Sequence, residues 1–273
     1  NKKIGTEEII ECACPVSVVP YPVKEMSPSH LDFKLDTKFN FLSVALLGHR
    51  KNIHNMISWF LEEFREEDVG LLIKTSSSSG SIMDRKYTKD VLKDLISKHK
   101  GPRKCKVYLL HGDLSERELH SLYVREDIHA YVTTTHGEGY GLPIFEAAYC
   151  GLPVIATDWS GHLDFLTAEV REKKKTKTKK MFAPVEYDLR AIGREVVWKD
   201  ILIEGAEWAH PREKSYKEQI RNMHDNYNFY LSRAQTLKNE ILKTFSKKKV
   251  FKMMQDAIFT REAEDKKEEV LVM

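Results

Sequence analysis

Between residues 41 and about 157, short apolar runs alternate with stretches whose apolar residues recur every three or four positions. This is the pattern of βαβ units built on a parallel sheet. The runs predict strands at Phe41 to Leu47, Gly70 to Thr75, Lys106 to Leu110, His129 to Thr134 and Pro153 to Thr157. Between the first two, Ile53, Met56, Ile57, Phe60, Leu61 and Phe64 fall on one face of a helix, and Asn52 stands where a cap belongs. Val91, Leu92, Leu95 and Ile96 mark a second helix. Ser115 and Glu118 have the spacing of a capping box ahead of a third, which carries Leu119, Leu122 and Tyr123.

The segments that break this pattern are polar. TSSSSGS at 75–81 follows a strand, so it lies at the carboxyl end where open α/β sheets bind ligands, although a solvated connector is the plainer reading. REKKKTKTKK at 171–180 is a basic, low-complexity insertion that builds no core and is expected as a mobile surface loop. Past Pro211 the pattern becomes helical again, anchored by Leu231, Leu237, Ile241, Leu242 and Phe245, and the chain ends in the charged REAEDKKEEVLVM.

Composition supports a folded chain. Of 273 residues 41% are apolar and 31% charged, enough for a sizeable core and too apolar for general disorder. Forty-four Lys and Arg against 41 Asp and Glu leave +3, which does not require nucleic acid or membrane as principal partner. Cys12, Cys14, Cys105 and Cys150 form no CxxC pair and have no zinc-ligand spacing, so a reducing, cytoplasmic setting is expected. No apolar run approaches the roughly 20 residues of a membrane-spanning helix. The chain opens NKKIGTEEII, with neither Met nor the apolar core of a signal peptide, and the expectation is that its first residue is not the native translation start.

Chemistry concentrates in HGEGYGLPIFEAAYCGLPVIATDWSG, residues 136–161, which reads as strand end, glycine-rich loop, helix, turn and strand. Gly137, Gly139 and Gly141 permit close backbone approach to a ligand, and Pro143 suits the first turn of a helix. Such a helix start attracts phosphate through free N–H groups and the helix dipole. Glu138 in the loop and Glu146 one turn into the helix could present carboxylates to different parts of one ligand. On spacing alone they are equally well a solvated loop residue and an ordinary acid near a helix start.

The full string E-G-Y-G-L-P-x-x-E-A-x-x-x-G-x-P-V-I-A-T resembles the signature of the retaining glycosyltransferases called group 1 or family four. LLGHRKNIHNMISWFLEEF at 46–64, LSERELHSLYVREDIHAYVTTT at 114–135 and DWSGHLDFL at 158–166 resemble it in the same order, and the likeness covers about residues 15–260. It implies the α/β, Rossmann-like C-terminal half of a GT-B fold, a parallel sheet with flanking helices and a helical C-terminal region. VSVVPYPV resembles the interdomain segment, so the expected division is 1–35 lead-in, 36–212 nucleotide-sugar domain with the basic insertion at 171–180, 213–260 helices and 261–273 tail. An N-terminal acceptor domain, or a partner chain in its place, is expected in addition.

Carried over from the family, Glu138 contacts donor-sugar hydroxyls and Glu146 accepts from the ribose. Gly139, Tyr140, Gly141 and Leu142 line the donor loop, the last three giving backbone N–H groups to the pyrophosphate. Arg50 and Lys51 resemble the basic pair beside the phosphates, although many relatives separate the two. The implied donor is a nucleotide-diphosphate sugar, and the implied chemistry is retaining transfer to a carbohydrate or lipid-linked acceptor with no metal and no other cofactor. Cations and backbone dipoles take the leaving charge. There is no Asp-x-Asp motif; Glu66, Glu67 and Asp68 read as a solvated helix end.

Two other readings stay open, a non-catalytic nucleotide-sugar-binding subunit and a GT-B-like sugar-nucleotide epimerase. His49, His136, His162 and Lys74 lie near the expected site, each with a plain structural or solvated alternative. Trp198 and Trp208 are expected in the core. The lysines of the insertion, with Lys247, Lys248 and Lys249, offer peripheral contact to an anionic membrane, a solvated loop being the simpler account of the first cluster. Nothing accompanies them that would read nucleic acid. Ile241, Leu242, Phe245, Phe251 and Met254 could be covered by a partner domain or pack on their own sheet.

Overall fold

A computed structural model describes residues 16–172, 175–199 and 201–268. Cys12 and Cys14 lie outside them. The chain divides into two compact units, one from Glu25 to Ile241 and one made of the first 24 residues and Leu242–Met273.

The larger unit runs β1 (Phe39–Val44), α1 (Ile53–Glu63), β2 (Val69–Lys74), α2 (Ile82–Ser97), β3 (Lys106–Leu110), α3 (Glu116–Tyr123), β4 (Ala130–Val132), α4 (Leu142–Cys150) and β5 (Val154–Thr157). It continues with β6 (Thr167–Glu172), β7 (Lys175–Lys180), β8 (Ala183–Val185), β9 (Tyr187–Ala191), β10 (Glu207–Pro211), α5 (Glu213–Asp225) and most of α6 (Tyr227–Thr244). Six strands form one parallel sheet in the order β3-β2-β1-β4-β5-β8. The order reverses between β1 and β4, and in doubly wound sheets ligands bind outside the carboxyl ends of the strands at such a point.

Helices cover both faces of the sheet, which is why FNFLSV and VGLLIK read as apolar runs rather than alternations. Phe41, Phe60, Phe64, Leu71 and Ile73 are fully buried with Tyr216 and Ile220 from α5, and each large side chain contributes roughly 1.5–3 kcal/mol by leaving water. The Tyr216 hydroxyl donates to the Met56 carbonyl at 3.2 Å. Arg221 joins α5 to the end of α1 through Glu63 at 2.8 Å and Glu67 at 2.6 Å, so Glu67 is paired rather than merely solvated.

Several expectations shift. β1 begins two residues early and stops at Val44, because the following Leu46 turns to solvent. Residues 175–180 are a strand rather than a loop: Thr and Lys alternate, and β7 pairs antiparallel with β6 through residues such as Val170 and Lys177. β8, three residues with Pro184 at its centre, closes the sheet edge, where such a proline is tolerated. β9 and β10 form a second antiparallel pair. Trp198 is not core; it is 64% exposed. Leu237 and Ile241 are buried as expected, whereas Leu242 is exposed.

In the smaller unit the Val23 N–H donates to the Phe245 carbonyl at 2.8 Å. α7 (Lys247–Glu268) buries Val250 but exposes Phe251, Met254 and Ile258, which lie three and four residues apart on one face. Among the described residues no helix is long and apolar enough to cross a membrane.

Candidate functional site

Arg50 and Lys51 occupy a 3-10 turn, His49–Lys51, between β1 and α1. The loop after β4 clamps this turn: the His136 N–H donates to the Arg50 carbonyl at 2.8 Å and the Thr135 hydroxyl to the same oxygen at 3.3 Å. Both cations then converge on one carboxylate. Lys51 Nζ lies 2.5 Å from Glu138 Oε1, and Arg50 Nη1 lies 2.9 Å from Glu138 Oε2 and also donates to the Gly137 carbonyl. The Glu138 side chain is only 10% exposed. Burial pushes its carboxyl up, but hydrogen bonds from Lys51 and Arg50, with their charges, hold it below the ordinary glutamate value. The cluster is one anion with two cations, a net positive site at the carboxyl edge of the sheet.

Gly141 caps α4 with φ 86°, a left-handed conformation that glycine adopts without strain. Its carbonyl takes the Ile144 and Phe145 N–H groups, both at 2.9 Å. Tyr140, Gly141 and Leu142 thus form the turn into the helix, where backbone amides and the helix dipole favour an anion. The DWSG turn is sewn to this loop: Glu138 N–H donates to Ser160 Oγ at 2.8 Å and Gly161 N–H to the Glu138 carbonyl at 3.1 Å. A Cβ on Gly161 would stand 2.0 Å from the Gly139 carbonyl oxygen, so this approach requires glycine. His162 is fully buried beneath the loop and its Nε2 donates to the Thr157 carbonyl at 2.7 Å. Burial lowers its pKa, and the ring is a structural strut.

Glu146 stands apart from the Glu138 cluster. The Tyr123 hydroxyl of α3 donates to its Oε2 at 3.1 Å. Burial, with Tyr131 and Glu146 nearby, raises the Tyr123 pKa, so the hydroxyl stays a donor and fixes the carboxylate.

Asn52 begins α1 as expected but does not cap it with its side chain: φ is 54°, and its Oδ1 accepts from Asn55 Nδ2 at 2.7 Å. The serine stretch is not a free connector. Ser77 and Ser78 N–H groups donate to the Asp84 carboxylate, both at 3.1 Å, and His111 Nε2 meets the same carboxylate at 2.8 Å. The His111 bond, opposed by burial and aided by the Ser77 and Ser78 amides, lowers the Asp84 pKa. Nothing in the local sequence marks this pair, because its members are 27 residues apart. Lys74 ends β2 half-buried, and His136 stacks on the half-buried Trp208 at 5.2 Å. Among the described residues no group of three or more His, Cys, Asp or Glu side chains is disposed to hold a metal ion.

The chain belongs to the glycosyl transferases group 1 family, whose family model matches residues 31–182, more than half of it. No curated protein matches. Among solved structures it is similar to Anabaena Alr3699/HepE in complex with UDP-glucose, at 14% identity and TM-score 0.53 over 84% of this chain and 49% of that one. It is also similar to sucrose-phosphate synthase from Thermosynechococcus elongatus (14%, 0.54, 84% and 46%) and to the GtfA/B complex (14%, 0.50, 81% and 35%). At such identities the likeness is one of fold. The larger unit has the Rossmann-like architecture of the C-terminal half of a GT-B fold, and the chain spans about half or less of the length of these relatives.

Proposed function

We propose that the chain is the donor-binding half of a retaining glycosyltransferase, holding a nucleotide-diphosphate sugar at the mouth formed by β1, β4 and β5. The observation that carries this reading is the convergence of Arg50 and Lys51 on Glu138 beside the amino end of α4. Two cations and preorganised backbone amides can neutralise a departing diphosphate without a metal. Glu138 meets donor-sugar hydroxyls, Glu146 the ribose, and Tyr140, Gly141 and Leu142 the pyrophosphate. Retention follows a front-face course, the donor phosphate helping to remove the acceptor proton, so no enzyme nucleophile is required. The reading is supported by the similarity in fold to Anabaena Alr3699/HepE, which was solved in complex with UDP-glucose.

The acceptor half is supplied by an N-terminal domain or partner chain, on the cytoplasmic side, with the basic β6–β7 strand pair available for peripheral contact with an anionic membrane. Closing a cleft between two domains excludes water and orients the attacking hydroxyl. The 273-residue chain is therefore expected to bind donor and to transfer slowly. The test is calorimetry with UDP, GDP and ADP in the presence of chelator, followed by transfer assays with and without an added acceptor domain. Binding of one nucleotide, and a gain in transfer far exceeding any gain in donor affinity, are expected. Failure to bind any of the three overturns the donor site, and rapid transfer by the chain alone overturns the division of labour.

A further inference from the structure

The DWSG turn beside the donor loop holds one residue in a backbone conformation that its type does not favour. Ser160 has φ 84° and ψ −168°. Among the described residues other than glycine, only Asn52 shares a positive φ. Asn52, at φ 54° and ψ 30°, lies in the left-handed well that asparagine tolerates, whereas the region of Ser160 is essentially reserved for glycine and is costly for a residue with a Cβ. Such a conformation persists only where its surroundings dictate it. Here they do. Ahead of Ser160 the Asp158 N–H donates to the Val185 carbonyl at 3.0 Å; beyond it the Gly161 N–H donates to the Glu138 carbonyl and the Leu163 N–H to the Ser160 carbonyl, both at 3.1 Å.

Glycine would occupy this position without strain, so the serine has to be explained by its side chain. A serine just before a helix normally caps it. Ser160 precedes the 3-10 turn Gly161–Asp164, yet its side chain makes no capping bond there. The hydroxyl oxygen instead accepts the Glu138 N–H at 2.8 Å, 22 residues away in the chain. Both main-chain polar groups of Glu138 are thereby held by the DWSG turn, the N–H by the Ser160 side chain and the carbonyl by Gly161.

The glutamate is therefore fixed at two ends, its backbone on Ser160 and Gly161 and its carboxylate on Lys51 and Arg50. On the donor reading a diphosphate draws on the same two cations, and the backbone anchors are then what keep the carboxylate aimed. We propose that Ser160 is a positioning residue for the donor sugar: the turn holds a strained backbone at this point so that the serine hydroxyl fixes Glu138 where it meets sugar hydroxyls. This role rests on the donor reading, whereas the strain and the hydrogen bond stand without it.

Two variants of the whole chain test it, since both lack the hydroxyl and they differ in the backbone they prefer. Ser160→Ala retains the strain and Ser160→Gly relieves it, so the glycine variant should melt roughly 2–4 °C above the alanine variant. Calorimetry with UDP, GDP and ADP identifies the diphosphate that the parent chain binds, and the glucose conjugate of that nucleotide is the sugar-bearing probe. Both variants should bind the conjugate roughly ten-fold more weakly than the parent, as for one lost hydrogen bond, and the plain diphosphate within about two-fold of it. In both, the Glu138 amide proton, followed by NMR, should exchange faster than in the parent. A glycine variant no more stable than the alanine variant would remove the strain and overturn the proposal. Conjugate affinity kept in both variants, lost only in the less stable one, or lost in step with the plain diphosphate would each assign the serine to the stability of the turn and overturn it too. A parent chain that binds none of the three nucleotides would instead defeat the donor reading, while the two melts would still decide the strain.

Discussion

Lys51 and Glu138 are 87 residues apart in the chain and 2.5 Å apart in space, Nζ to Oε1. With Arg50 on the other oxygen, the glutamate that is assigned to the donor sugar also neutralises part of the charge assigned to the diphosphate. On the proposed function a diphosphate and this carboxylate would share the same two cations, and the contributions of these residues to binding should then not be additive.

Acid should expose the pair. The Glu138 carboxyl is held below its unfolded value, so its contribution to stability is complete above the unfolded pKa and is lost as pH falls through the lower folded one. Glu138→Gln should cost roughly 1.5–3 kcal/mol near neutral pH, where the half-exposed Arg50 contributes least and Lys51 most. The difference from the parent chain should shrink below about pH 4. Thermal melts of both proteins from neutral to acid pH measure this, and a difference independent of pH would refute it.

Ligand binding separates the members of the cluster. Lys51→Ala should weaken a nucleoside diphosphate by roughly 1.5–3 kcal/mol while leaving the nucleoside nearly unaffected, since only the former carries the charge it meets. Glu138→Gln should spare the plain diphosphate and reduce affinity for the sugar-bearing form. Calorimetry with matched nucleoside, diphosphate and diphosphate-sugar gives both comparisons; equal losses for nucleoside and diphosphate in Lys51→Ala would assign that lysine to structure alone.

Tyr123 offers a finer probe of Glu146. Glu146→Gln should weaken nucleotide with or without a sugar attached. Tyr123→Phe removes only the bond that orients the carboxylate at 3.1 Å and should weaken the same ligands by less, about 0.5–1.5 kcal/mol. A nucleotide lacking both ribose hydroxyls should bind Tyr123→Phe and the parent chain equally well. If Tyr123→Phe weakened that analogue as much as the normal nucleotide, the tyrosine would not act through the ribose.

The sheet was legible because its strands are buried on both faces, so Phe41, Leu42, Leu71 and Leu72 form runs that no amphipathic helix produces. The capping box at Ser115 and Glu118 was legible because all its atoms lie within four residues, and both of its bonds are present. β8 escaped because three residues around a proline have no period to detect, and the lysine-rich β7 escaped because its charge outweighs its β-compatible threonines. At the site, residue types were legible and pairings were not. Glycines and glutamates in one string identified the loop, but Tyr123 with Glu146, Asp84 with His111 and His136 with Ala209 join segments that only the fold brings together.

Asp84 carries the clearest consequence of such a pairing. Its carboxylate orders the serine loop from within, through Ser77 and Ser78, while His111 anchors it from β3's carboxyl side. Asp84→Asn loses the charge and one acceptor oxygen, so amide hydrogen exchange at Ser77 and Ser78 should accelerate while that of β2 itself remains slow. Unchanged protection of the loop would show that its order comes from elsewhere.

Gly161→Ala isolates the geometry of the donor loop from its chemistry. The φ at Gly161 is not in the left-handed region, so the helical and extended preferences of alanine carry no objection; the obstacle is the Gly139 carbonyl, which a Cβ would approach to 2.0 Å. Because that neighbour is backbone, the loop must move, and overpacking of this kind costs roughly 1–3 kcal/mol. The displaced segment lies between Glu138 and the first turn of α4, so the amides of Tyr140, Gly141 and Leu142 should lose their alignment with the Arg50–Lys51 turn. Diphosphate affinity should then fall even though no charged or hydrogen-bonding side chain has changed, and Gly137→Ala, whose Cβ would meet only ordinary contacts at 3.7 Å or more, should fall much less. Equal affinities for the two alanine variants would mean that the loop can shift without disturbing the anion site, and that the close seam between the two turns serves stability rather than binding.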